Sequence, residues 1–307
     1  MDVRNRYAGV VLLSALIVGF ETVAIEGALR IADLSLYLVS SVPLICGGLI
    51  LLAYYPRSSK KFAKDLKPRG WAAMILICVL ASAGVLLWYH AVDLIGASKE
   101  AILGGGSSEV LFIVVLSGVF LGERLKRWEV VGSFLVIGGV FVVLANTESL
   151  SLTLGQGEIE AIVSSLLLAF SVILVTKLLR IHDVTPFSGI ELLLSGIFTI
   201  AFGTALGLIS WPSATGWGIM VVIGIFPALG LLTYNAGLPK IGASLTSVLF
   251  ALCGIMTVGV QLLVLFIVPD ADIQLPSNLA LAIAGSMIAF IGVFLLNLKV
   301  PTKRPLP

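Results

Sequence analysis

Three observations predict an all-α integral membrane protein, ten transmembrane helices arranged as two inverted five-helix repeats about a central site. First, the 307-residue chain is 59% hydrophobic and only 12% charged, with a mean hydropathy of +1.12; soluble domains carry about a quarter charged residues. Second, its apolar runs recur at the length of about 20 residues that a helix needs to cross a hydrocarbon core. Third, residues 89–144 have a second copy at 234–294. The first copy reads Tyr89-His90-Ala91, Ile95-Gly96-Ala97-Ser98, Gly132-Ser133 and Gly139-Val140-Phe141; the second reads Tyr234-Asn235-Ala236, Ile241-Gly242-Ala243-Ser244, Gly285-Ser286 and Gly292-Val293-Phe294. Five spans per half is an odd number, so the second half enters the membrane upside down. Many secondary transporters are built this way, with two halves that rock about one site. The repeats are residues 1–150 and 151–307.

In chain order the spans are expected at 7–29, 34–55, 70–91, 97–121, 128–146, 157–179, 186–209, 216–236, 243–268 and 278–298. Arg4 and Arg6 precede an apolar run in the manner of a signal peptide, but Glu21 and Glu26 follow without a small-residue cleavage site. The first span is therefore read as uncleaved. The basic residues test the count. Seventeen of the 19 Lys and Arg fall on one side of the alternating spans, leaving Arg30 and Lys99 on the other. The positive-inside rule then places a multi-pass protein in the cell membrane with both termini in the cytoplasm. No basic face interleaved with aromatics suggests nucleic-acid binding. Cys46, Cys78 and Cys253 all lie in apolar runs, odd in number and without metal-ligand spacing, so they read as packing residues.

Glu109 is the sharpest candidate for function. It lies twelve residues from both Ala97 and Leu121, about 18 Å from each end at a helical rise of about 1.5 Å. A charge at a helix centre costs roughly 2.5–3.5 kcal/mol, so this carboxyl faces a wet cavity, pairs with a cation, or carries a proton. The competing reading is a protonated carboxyl bonded between helices. Gly104-Gly105-Gly106 precede it; they either open space and loosen the helix or pack helices closely. The second copy has Phe250-Ala251-Leu252 there, so any hinge is expected to be asymmetric.

Glu21 is a second cavity candidate, and Tyr89, Tyr234 and Asn235 offer aromatic and amide contacts to a substrate. Trp88 reads as an interfacial anchor. Gln261 either touches substrate or bonds between helices. Lys99 and Glu100 are expected to snorkel at the rim, where Lys99 would attract an anion. Glu26 is expected to pair with Arg30 four residues on, and Glu191 with Lys177. His90 is expected to be solvated, and one histidine makes no metal site. Glu123 reads as a structural acid at the membrane boundary.

Leu121-Gly122-Glu123-Arg124-Leu125 resembles the "LGER" signature of the EamA-like drug/metabolite transporter superfamily. Gly19 followed by Val23-Ala24-Ile25 resembles the start of that family's first span, and the Tyr-x-Ala and Ile-Gly-Ala-Ser pairs fit its span junctions. Departures include Val18 where a Trp is usual, Ser107-Ser108-Glu109 where proline is frequent, and Pro269-Asp270-Ala271-Asp272 in place of a second Gly-Glu pair. The resemblance implies a cavity lined mainly by spans 1, 3, 4, 6, 8 and 9, and transport of small metabolites, often outward, without a prosthetic group.

The expected function is a secondary transporter, an exporter, of an amino acid, amine or related metabolite by alternating access, with carboxylates suited to proton coupling. The partners expected are a small-molecule substrate and the lipid bilayer, with the chain acting as monomer or homodimer. A membrane-embedded enzyme acting on lipid or prenyl substrates is the alternative, but His90 and His182 fall on opposite sides and no nucleophile–base constellation appears. A passive channel would show repeated polar rings, whereas this chain shows isolated acids. ATP-driven transport would need a P-loop, which the chain does not contain.

Overall fold

In the computed structural model, residues 3–30, 32, 34–123, 127–144, 155–269, 271 and 273 are described, with scattered positions between 280 and 295. Every regular element among them is helical: α1 (Val3–Arg30), α2 (Leu36–Val39), α3 (Val42–Tyr54), α4 (Pro56–Asp65), α5 (Pro68–Ile95), α6 (Ala97–Leu103), a π-helical segment (Gly104–Ser108), α7 (Glu109–Phe120), α8 (Arg127–Leu144), α9 (Gln156–Leu179), α10 (Val184–Ala205), α11 (Ala214–Ile223), α12 (Ile225–Ile241), α13 (Ala243–Phe250) and α14 (Cys253–Ile267). Helix is the expected answer for such a sequence, because a backbone in lipid must satisfy its own polar groups.

Among the described residues eight helical stretches are long and apolar enough to span a membrane, and they fall on the first four and the sixth to ninth expected spans. The fifth expected span corresponds to α8, of which Val130–Gly139 is the apolar stretch, while residues 145 and 146 lie outside the described residues. Most of the tenth, 278–298, also lies outside them, including Ser286, Val293 and Phe294 of the repeat. Large apolar side chains such as Val115, Phe202 and Phe266 point outward, the arrangement that suits lipid. The basic connection after the second span holds a helix that the spacing of apolar runs does not reveal. In α4 only Phe62 is buried, packed edge-on against His182 and Phe187, while the basic residues face away from the bundle.

Gly96 (φ 82°) and Gly242 (φ 88°) separate α5 from α6 and α12 from α13. Both take a backbone conformation that only glycine adopts freely, which explains the glycine in each Ile-Gly-Ala-Ser copy. Under the expected two-repeat alignment the helix contacts can be compared. The α5–α9 contact is matched by α1–α12, α7–α9 by α1–α14, and α5–α10 by α3–α12. The α3–α10 seam is made by glycines: a β-carbon on Gly48 would lie 2.6 Å from the Leu193 backbone nitrogen and 2.8 Å from the Gly189 carbonyl oxygen. Small residues of this kind let helix backbones approach in membranes.

Contacts also sort the bundle ends. At one end Arg30 donates to the Asp93 carbonyl at 2.6 Å, Lys99 pairs with Glu158, and His90 Nδ1 lies 2.6 Å from Glu160. Glu123 and Arg180 meet at the opposite end, 3.8 Å apart.

Candidate functional site

Between these ends lies a cavity of about 160 Å³. It is lined from α1, α3, α5, α6, the π segment, α7, α9, α10, α12, α13 and α14. The six spans named by the resemblance are all present, and the second and seventh add Leu44, Glu191, Leu192 and Ser195.

Four glutamates reach the wall. Glu21 is buried, and Tyr89 Oη donates to its Oε1 at 2.7 Å. Glu109, the first residue of α7, is buried on the lining. Glu100, expected to snorkel at the rim, is instead 2% exposed, lies beside Trp88, and its Oε2 has no hydrogen-bond partner. Glu191 does not meet Lys177. Its Oε2 accepts from Asn235 Nδ2 at 3.1 Å, and that amide also donates to Ser188 Oγ at 2.9 Å. Lys177 lies on the exposed face of α9, 5.7 Å from the Phe120 ring centroid.

The π segment explains how Glu100 and Glu109 come to share one cavity. Nine residues of α-helix turn about 900°, which puts Glu100 and Glu109 on opposite faces. One extra residue in a π turn rotates the remainder of the helix by about 100°, and both carboxyls then reach one cavity. Gly104 also makes room, since a β-carbon there would run into Glu100 Oε1. Gly105 lines the cavity with its nearest neighbour, Phe250 Cε1, 3.9 Å from a built β-carbon. Gly106 is buried but not on the lining. The triple glycine was the available signal for this local break.

Four aromatic rings complete the wall. Trp88 packs edge-on against Tyr89 at 4.9 Å and Tyr234 against Phe250 at 5.0 Å, and the buried Tyr234 hydroxyl has no partner. Trp88 thus sits on the cavity rather than serving only as an anchor. Span six contributes Ser164, Ser165 and Ser171, polar residues too common in membrane helices to stand out in sequence.

Two expected contacts do not line the cavity. Lys99 is held by Glu158 at the bundle end, so it offers no anion site inside. Gln261 bonds between helices, donating to Glu26 Oε2 at 2.9 Å and accepting from Ser98; Glu26 also meets Arg30 at 3.7 Å. His90 is paired with Glu160 rather than simply solvated. Glu123 is structural, as expected, but its partners belong to the second half: its carboxylate accepts from Ala243 N at 3.1 Å, Ser244 N at 3.0 Å and Ser244 Oγ at 3.1 Å. Among the described residues no group of His, Cys, Asp and Glu side chains is arranged to hold a metal ion.

A search of curated proteins finds no match. A protein of known crystal structure shares the fold, with a TM-score of 0.67 and 15% identity over 94% of this chain and 96% of the other. The helices long enough to cross a bilayer make this a multi-pass membrane protein, and residues 6–145 match the model of the EamA-like transporter family. Over those residues, just under half of the chain, it is similar to the EamA-like transporter family of the drug/metabolite transporter superfamily.

Proposed function

We propose that the protein is a secondary transporter that exports a small metabolite of amino acid or amine type by alternating access about the glutamate-lined cavity. The observation that carries this reading is that the cavity wall is drawn from both halves of the chain, with Glu21, Glu100 and Glu109 from one and Glu191, Tyr234 and Asn235 from the other. The exchange-related contacts, α5–α9 with α1–α12 and α7–α9 with α1–α14, support two inverted five-span repeats at 1–150 and 151–307. Ten spans with both termini in the cytoplasm remain our topology, on the distribution of Lys and Arg. The transporting unit is one chain or a homodimer, needing no prosthetic group and taking its energy from substrate or proton gradients.

Counterflow in proteoliposomes tests this. Trapped unlabelled amine or amino acid should drive saturable uptake of its labelled counterpart, which a pore would not produce. Glu109→Gln should fold normally yet slow exchange at least tenfold or change its pH dependence. Unchanged exchange across pH would remove Glu109 from the mechanism, and chemical alteration of the metabolite would favour an enzyme.

A further inference from the structure

We propose that the substrate is an organic cation, a protonated amine or quaternary ammonium with an apolar body, exchanged for protons on the cavity carboxyls. This rests on the transport reading and narrows it. Glu21, Glu100, Glu109 and Glu191 line one cavity, and no Lys, Arg or His lines it among the described residues. Three of the four act on a single point, since Cys253 lies within electrostatic reach of Glu21, Glu100 and Glu109. Carboxylates so placed cannot all carry charge without a counter-charge. Protons supply it when the cavity holds only water, and a cation does so when it enters.

A second observation, independent of the acids, is that the Tyr234 hydroxyl is buried on the same wall without a partner. Its oxygen is free to accept a hydrogen bond from an ammonium. Glu100 Oε2 is likewise buried and unpartnered. The rings of Trp88, Tyr89, Tyr234 and Phe250 on that wall offer the faces that attract ammonium groups. An anion would meet four carboxyls and no cation. A zwitterionic amino acid would bring a carboxylate that nothing charged on the wall receives. Among the described residues no group of His, Cys, Asp and Glu side chains is arranged to hold a metal ion instead.

Proton competition concerns the acids together with the titratable groups that face them: Tyr89 and Cys78 of α5, Tyr234 of α12 and Cys253 of α14. The α9 wall adds only serines and apolar side chains.

The test uses three probes of nearly one shape on the purified full-length protein. They are benzyltrimethylammonium, uncharged neopentylbenzene and benzylsulfonate, and none of them titrates. Binding is read as ligand-induced thermal stabilisation at several pH values. The cation alone should stabilise. Its apparent affinity should weaken by about tenfold per unit fall in pH where each bound cation displaces one proton. Glu100→Gln and Glu109→Gln should reduce affinity at least tenfold. Equal stabilisation by neopentylbenzene or benzylsulfonate, a pH-independent cation affinity, or no cation effect would each overturn the inference, and these arms need no variant to fold. Saturable counterflow of an anionic metabolite without cation binding would sink the cation inference alone. Cation binding without any counterflow would sink the transport reading and leave the binding inference standing.

Discussion

Glu123→Ala offers the cleanest structural test, because the side chain has three hydrogen bonds and one ion pair whose worth can be separated. Helix α13 begins at Ala243, and its first N–H groups have no intrahelical partner. Glu123 supplies acceptors to two of them, at 3.1 and 3.0 Å, and to the Ser244 hydroxyl at 3.1 Å. Loss of a helix-capping acceptor costs about 0.5–2 kcal/mol, and a hydrogen bond to a charged group is worth about 1.5–3 kcal/mol. The Glu123 side chain keeps 18% exposure, so water replaces part of what is lost, and about 2 kcal/mol is the expected cost. Domains of 150–250 residues lose about 2–4 °C in Tm per kcal/mol. Because this chain is larger, a fall of about 4 °C is expected. Arg180, by contrast, is 50% exposed and 3.8 Å away, and exposed pairs are worth about 0–1 kcal/mol. Arg180→Ala should therefore shift Tm by less than about 2 °C. The assay is intrinsic-fluorescence melting of both variants in one detergent at one protein concentration. An Arg180→Ala loss equal to or larger than that of Glu123→Ala would refute the capping argument, and so would an unchanged Tm in Glu123→Ala.

Gly48→Leu should cost about 1–3 kcal/mol of overpacking, since the backbone of α10 already lies within 2.8 Å of where its β-carbon would stand; thermal melting should show it, and an unshifted Tm would mean the α3–α10 seam is looser than described. Gly104→Ala should leave folding intact but displace Glu100, weakening stabilisation by benzyltrimethylammonium at least threefold. Gly105→Ala, whose new methyl would find its nearest atom at 3.9 Å, should leave that stabilisation within twofold. Equal ligand responses from the two glycine variants would detach Gly104 from the placing of Glu100.

Span positions were legible because they depend on one strong signal, the length of uninterrupted apolar sequence, and the fourth span differs by one residue between expectation (97–121) and structure (Ala97–Phe120). Glu109 and Glu21 were legible for the same reason, as charges deep in apolar runs. Glu191 was not. An acid and a lysine near the ends of neighbouring spans suggest a pair, but helix rotation sends Lys177 outward and Glu191 inward to Asn235. Rotation of a helix about its axis is weakly encoded when nearly every position is apolar. Glu100 failed for another reason: its place at the start of the fourth span suggests a side chain that snorkels at the rim, whereas it is buried on the cavity wall. In sequence Glu123 suggests boundary chemistry because its neighbours Arg124, Lys126 and Arg127 are basic. Its partners lie 120 and 121 residues away, beyond the reach of any local pattern.

The interruption of the fourth span has a counterpart that residue identity did not foretell. Under the two-repeat alignment, Gly104-Gly105-Gly106 stand opposite Phe250-Ala251-Leu252. The structure breaks both spans there, by a π segment at Gly104–Ser108 and by a two-residue turn between α13 and α14. Glycine is thus not what fixes the site of the break. The break falls where each span meets the cavity wall, at Gly105 on one side and at Phe250 and Cys253 on the other. What the glycines decide is what fills the space. The first half gives it to a carboxyl, because Gly104 leaves room for Glu100. The second fills it with the Phe250 ring, packed on Tyr234. In the two-repeat alignment Glu109 likewise faces Ile255. Under the two-repeat alignment the halves therefore carry unequal charge, with three of the four wall glutamates from the first, while each gives two aromatic rings. An amphipathic cation needs both, a charge partner for its head and an apolar face for its body.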